Sequence, residues 1–106
     1  MNTFRFEITG SEKDLSELGE FLNQQNVPYE HGAMGANVGG IILGALFILS
    51  RYNVFSKCIT AYMKAKTKRL EAFVEGKGFI ELENYTAEDL EKILPAITTI
   101  HIKDEE

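Results

Sequence analysis

Cysteine is nearly absent from this chain, and its N-terminus lacks the pattern of a signal peptide. The single cysteine, Cys58, has no partner for an internal disulfide, which favours a reducing compartment. Met1–Thr9 alternates polar and apolar residues, whereas a signal peptide opens with a basic and then an apolar region. We therefore expect a cytoplasmic protein.

Acidic residues are missing from the middle of the chain. Residues 36–70 contain six Lys or Arg and no Asp or Glu, although the net charge of the protein is −5. Such a basic region could face an anionic surface or pair with acidic parts of neighbouring chains. The basic surface that we predict consists of Arg51, Lys57, Lys64, Lys66, Lys68 and Arg69.

The sequence also lacks a recognisable set of catalytic, metal-binding or cofactor-binding residues. Nucleophilic catalysis needs a nucleophile, a base and an orienting group, and Cys58 with His31 or His101 is the only candidate set. Cys58 falls on the apolar face of a predicted helix, which is typical of an inert core thiol. Glycine-rich residues 35–40 lack the Gly-Lys-Ser/Thr ending of a phosphate loop. We expect no enzyme activity and no cofactor, and the net acidity argues against nucleic acid as a partner.

What is present predicts one α+β domain spanning residues 1–106. Alternation and helical spacing of apolar residues predict a strand, a helix, a long helical region, a hairpin, a helix and a strand. This order predicts a ferredoxin-like, four-stranded antiparallel sheet with helices on one face and a long helical insertion before the hairpin. The predicted elements are strand 3–9, helix 11–25 capped by Ser11, helix 54–69, strands 70–75 and 79–83, a helix capped by Thr86, and strand 97–103.

The most unusual segment is Ala33–Ser50, which contains no ionisable residue in eighteen positions. We interpret it as a glycine-rich apolar helix, in which small residues spaced four apart allow a second helix to approach closely. The residues predicted to form this helix-packing surface are Ala36, Gly40, Gly44, Leu43 and Phe47. Eighteen residues also just reach the length of a membrane span, but a simple span would divide the predicted sheet between the two sides of a bilayer. Burial against protein and a rearranged membrane-contacting state therefore both stay open.

The order of these features resembles the effector-associated constant component family of bacterial conflict and antiphage systems. The likeness rests on the opening strand and helix, on His31-Gly-Ala-Met-Gly35 before the glycine-rich segment, and on the hairpin around Gly76-Lys77-Gly78. The resemblance implies a small accessory protein whose partner is an effector such as a protease. Here the segment contains more large apolar residues than the family leads us to expect, so a membrane role is retained as a hypothesis.

Two functional hypotheses follow from the sequence. In the first, the protein is a non-enzymatic component of an antiphage system that forms homo-oligomers or docks an effector through the apolar helix. In the second, the apolar segment inserts into the inner membrane and the basic residues bind anionic headgroups.

Overall fold

Seven strands and three α-helices make up the described part of the chain. The structure is a computed structural model that describes residues 3–32, 36–38 and 41–103. The strands are β1 (Phe4–Ser11), β2 (Tyr29–His31), β3 (Ala36–Val38), β4 (Ile41–Ser50), β5 (Arg69–Val74), β6 (Gly78–Glu81) and β7 (Ile97–Lys103). The helices are α1 (Glu12–Gln24), α2 (Tyr52–Lys66) and α3 (Ala87–Ile93), and a short 3-10 turn, Leu94–Ala96, precedes β7.

All seven strands belong to one mixed sheet. Six of them lie side by side in the order β2-β4-β1-β7-β5-β6, and β3 pairs with β4. β1 and β7 are parallel neighbours, whereas the other pairs are antiparallel. The prediction of an α+β protein is consistent with this architecture, but the prediction of a four-stranded, all-antiparallel ferredoxin-like sheet is wrong.

The main error in the predicted fold lies in the apolar segment. Ile41–Ser50 is not a helix but the strand β4, and it pairs with β1 over eight residues, from Leu43 opposite Ser11 to Ser50 opposite Phe4. Its other edge pairs with β2 and β3. Residues 33–35, 39 and 40 of the predicted helix lie outside the described residues.

The other predicted elements are present with small shifts at their ends. Ser11 caps α1 by accepting a hydrogen bond from the Asp14 backbone N–H at 3.2 Å, and Thr86 caps α3 by accepting one from Asp89 at 3.1 Å. α2 begins two residues before the predicted helix and ends at Lys66, where Thr67 turns the chain with φ of 53°. In the β5–β6 hairpin, Gly76 and Gly78 have φ of 85° and 86°, a conformation that suits glycine.

The helices cover one face of the sheet, and the core lies between them. Phe6 and Ile8 of β1, Leu46 and Ile48 of β4, and Ile100 and Ile102 of β7 are buried on this face. Phe55, Ile59 and Tyr62 of α2 pack into the same cluster, and the Phe55 ring stacks on Phe6 with centroids 3.9 Å apart. The residues that alternate with the buried ones point to the other face, which we call the helix-free face.

Candidate interaction surface

The helix-free face combines apolar side chains on its two flanks with polar side chains in its centre. The β4 flank presents Leu43, Phe47 and Leu49, of which Leu49 is 41% exposed. The guanidinium of Arg5 lies 4.2 Å from the centre of the Phe47 ring, a cation–π contact between neighbouring strands. Because Arg5 covers Phe47, this flank is partly shielded from solvent.

The other flank, on β5 and β6, presents two phenylalanines. Phe73 and Phe79 are directly opposite in the antiparallel register, and their rings meet edge to face with centroids 5.1 Å apart. Phe79 is 67% exposed, the most of any large apolar side chain in the described part of the chain. The two rings together form an exposed apolar patch, the kind of surface feature that marks protein–protein contacts.

A network of ion pairs lies on the same face, where it joins the ends of β7, β5 and β6. Lys103 Nζ lies 2.9 Å from Glu81 and 3.8 Å from Glu71, and it therefore forms ion pairs with two carboxylates that oppose each other on neighbouring strands. The hydrogen bond with Lys103 lowers the pKa of the Glu81 carboxyl and raises that of the Lys103 ammonium. Arg69 extends the network, with nitrogens 3.7 Å from Glu81 and 3.8 Å from Glu83.

The three side chains of the candidate catalytic set are not brought together. Cys58 is buried in the core on the helix side of the sheet, and burial raises the pKa of its thiol to about 11. His101 lies on the helix-free face, where its Nδ1 and the Thr9 hydroxyl are hydrogen-bonded at 2.8 Å. His31 is exposed on β2. Among the described residues, no group of three His, Cys, Asp or Glu side chains could hold a metal ion.

The predicted helix-packing surface does not exist as proposed, because its described residues lie on two strands and successive residues of a strand point to opposite faces of the sheet. Leu43 and Phe47 lie on the helix-free face of β4, while Gly44 is buried on the opposite face. Ala36 lies on the separate strand β3, paired with Leu43. Gly40 lies outside the described residues. The prediction of a ladder of small residues along one helix is therefore wrong.

The predicted basic surface is divided between two environments. Lys57, Lys64 and Lys66 are exposed on α2, and Arg51 is exposed at its N-terminus. Lys68 and Arg69 instead form ion pairs with acidic residues of the same chain: Lys68 Nζ lies 2.8 Å from the buried Asp14 carboxylate, and Arg69 joins the network with Glu81 and Glu83. Sequence reasoning missed the pair of Lys68 with Asp14 because these residues are 54 positions apart and meet only in the tertiary fold.

None of the helices in the described part of the chain has both the length and the apolar character of a membrane span. In comparisons with known proteins, no family model matches the chain, and neither a curated protein nor a solved structure is significantly similar to it. The functional assignment must therefore rest on the fold and on its surfaces.

Proposed function

We propose that this protein is a non-catalytic interaction module that forms homodimers through the outer edge of β6. The exposure of Phe79 beside this edge carries the proposal. In the setting implied by the family resemblance, the module is a cytoplasmic accessory component of a bacterial antiphage system and serves an effector protein. Docking through an apolar helix is no longer part of this proposal.

The outer edge of β6 is suited to pairing with another strand. In the described part of the chain, β6 pairs with β5 alone and forms one end of the sheet. Its residues, Gly78–Glu81, include no proline and no lysine, the residues that commonly protect an edge strand. At the opposite end of the sheet, Pro28 precedes β2, and Glu30 and His31 are exposed on it. Glu81 is the one charged residue within β6.

The register of β6 makes a second copy a suitable occupant. When two identical strands pair antiparallel about a two-fold axis perpendicular to the sheet, opposing side chains share a face. With Phe79 opposite its counterpart, the two copies place four phenylalanines in one row on the helix-free face, because Phe73 already neighbours Phe79. Cross-strand aromatic pairs stabilise such a contact by up to about 1 kcal/mol each. A four-residue strand buries little area, so we expect a reversible dimer whose population rises with concentration.

The membrane hypothesis is less well supported by the structure. Most of the predicted membrane segment is β4, an interior strand that contributes Leu46 and Ile48 to the core. Its insertion into a bilayer would require loss of its pairing with β1, β2 and β3. No observation on the described residues offsets that cost.

Sedimentation velocity over a series of protein concentrations tests the proposal. We expect the wild-type protein to shift toward a dimer as concentration rises, and Phe79→Lys to remain monomeric because it adds a charge at the paired edge. Leu49→Lys is the matched control, since it places the same charge on the other flank of the same face and should still dimerise. A wild-type protein that stays monomeric throughout, or a Phe79→Lys variant that dimerises as before, would contradict the proposal.

A further inference from the structure

Two residues of opposite charge flank Phe79 at equal distances along the chain. Lys77 lies two positions before Phe79, in the turn that leads into β6, and Glu81 lies two positions after it, at the end of β6. When two copies of β6 pair antiparallel with Phe79 opposite its counterpart, each Lys77 lies opposite Glu81 of the other copy. The proposed dimer therefore brings opposite charges together on both sides of the phenylalanines.

The backbone of β6 is suited to this register. Directly after the strand, Leu82 donates its N–H to the Leu70 carbonyl at 2.9 Å, toward the inside of the sheet. Successive residues of a strand direct their N–H and C=O groups to opposite edges, so those of Glu81 and Phe79 face the outer edge. Phe79 and its counterpart can therefore exchange two backbone hydrogen bonds at the centre of the dimer.

The ammonium of Lys77 is available to another chain. Lys77 is exposed, and it forms no ion pair within the part of the chain that the structure describes. Its backbone N–H donates to the Val74 carbonyl at 3.0 Å, which fixes the lysine at the start of β6. Opposing residues of paired strands have Cα atoms about 5 Å apart, a distance that the long, flexible side chain of lysine easily spans.

Glu81 belongs to an ion-pair network in which carboxylates outnumber cations. The members of this network are Glu71, Glu81, Glu83, Arg69 and Lys103. Lys103 and Arg69 are each shared between two carboxylates, so the network keeps a net negative charge. The Glu81 side chain is 34% exposed, and a carboxylate accepts several hydrogen bonds, so a further cation at the edge can pair with it.

We infer that Lys77 and Glu81 set the register of the β6 dimer through two intermolecular ion pairs. This inference rests on the proposed dimer and adds what selects one alignment of two short strands. An alignment centred on Glu81 would oppose two like charges, which is unfavourable. An alignment centred on Ile80 would place each Phe79 opposite a carboxylate. The alignment centred on Phe79 pairs aromatic with aromatic and cation with anion.

Charge reversal at Lys77 in the whole chain tests this inference, with dimer dissociation constants measured by sedimentation velocity. We expect Lys77→Glu to raise the constant at least about tenfold, because it replaces two attractive pairs with two repulsive ones. Lys57→Glu makes the same change at an exposed position of α2 and should alter the constant by less than about twofold. In a protein that already carries Glu81→Gln, Lys77→Glu should have less than about a threefold effect, since the carboxylate that it repels is gone.

The possible results separate this inference from the proposed dimer. A tenfold effect of Lys77→Glu that is lost in the Glu81→Gln background supports the inference. Dimerisation of Lys77→Glu as tight as that of the wild-type protein, or an equal effect in both backgrounds, would overturn the inference and leave the β6 edge dimer standing. A wild-type protein that is monomeric at every concentration would overturn both.

Discussion

Asp14 is a fully buried carboxylate that depends on one distant lysine. It lies in the first turn of α1 with 1% of its surface exposed, and its Oδ1 is 2.8 Å from Lys68 Nζ. Its Oδ2 has no hydrogen-bond partner among the described residues. Removal of the lysine would therefore leave an unpaired buried charge, which costs far more free energy than the loss of an exposed ion pair.

We predict that Lys68→Met lowers the free energy of unfolding by about 2–3 kcal/mol, because it leaves the Asp14 carboxylate buried without its cation. Urea denaturation measures the loss. Lys66→Met is the matched control, since Lys66 is exposed at the end of α2, and it should change stability by less than about 0.5 kcal/mol. Similar losses in the two variants would show that the ion pair between Lys68 and Asp14 does not hold α1 against the α2–β5 turn.

Glu81 makes the stability of the protein vary with pH in the acid range. Its hydrogen bond with Lys103 lowers the pKa of its carboxyl below the ordinary value of 4.5. A carboxyl whose pKa is lower in the folded state stabilises the fold above that ordinary value, and the contribution disappears as the pH falls through the folded pKa. We therefore predict that Glu81→Gln has a shallower decline of unfolding free energy below pH 4.5 than the wild-type protein.

Urea denaturation in a series of buffers from neutral to acid pH measures this decline. Glu75→Gln removes an exposed carboxyl in the turn after β5 and serves as the control, which should follow the wild-type curve. Parallel curves for Glu81→Gln and the wild-type protein would count against a role for the Glu81–Lys103 pair.

Cys58 should be chemically inert in the folded protein. Burial raises the pKa of its thiol to about 11 from the ordinary value of 9.0, and the thiolate is the reactive form. We predict that an aromatic disulfide reagent modifies the native protein at least about 100-fold more slowly than it modifies the denatured protein, because two pKa units reduce the thiolate fraction by that factor. Comparable rates in the two states would show that Cys58 is accessible and reactive.

At the scale of elements, the strands and helices whose polar and apolar residues alternate clearly could be predicted. β1 alternates because one face is buried and the other is polar, and Ser11 and Thr86 mark the starts of α1 and α3. These signals are local and therefore visible in a single sequence. The predicted helix 54–69 is likewise confirmed as α2, apart from its ends.

β4 could not be identified by alternation, because the residues along most of its length are apolar on both faces of the sheet. Leu46 and Ile48 face the core, while Leu43, Phe47 and Leu49 on the helix-free face are apolar as well. Such a strand shows a continuous apolar run, which periodicity alone does not distinguish from a buried helix. The available signals were the poor helix propensity of Gly39, Gly40 and Gly44, and the Gly-Gly pair between Val38 and Ile41, which is typical of a hairpin turn.

Two chemically identical substitutions distinguish the strand from the predicted helix. We predict that Leu46→Ala lowers the free energy of unfolding by about 3 kcal/mol, because Leu46 is fully buried, and that Leu49→Ala lowers it by less than about 1 kcal/mol. Thermal and urea denaturation of both variants measure the difference. Equal losses would contradict the placement of these leucines on opposite faces of β4.

At the scale of the whole molecule, the sheet is larger than predicted because the segment from Tyr29 to Ser50 adds β2, β3 and β4 to one side of β1. The parallel pairing of β1 with β7 joins this half to the half formed by β5 and β6. These are long-range pairings, and sequence patterns carry little information about which strands become neighbours.

Because the apolar segment is a strand and not the predicted helix, the candidate interaction surface also differs from the predicted one. A glycine-rich helix would have put the contact at Ala36, Gly40 and Gly44, whereas the most exposed large apolar side chain among the described residues is Phe79, on the edge strand β6 at the other end of the sheet. Whether Ile41–Ser50 is an interior strand therefore decides between the helix-packing surface predicted from the sequence and the sheet that the structure shows.

Nuclear Overhauser contacts in the isotopically labelled protein test this point most directly. If β4 pairs with β1, backbone contacts across the strands should join Ile8 with Leu46 and Gly10 with Gly44. A helical Ile41–Ser50 would instead show contacts between residues three and four positions apart within the segment, without cross-strand contacts to β1. The first pattern is the predicted result, and the second would contradict the fold and the surfaces derived from it.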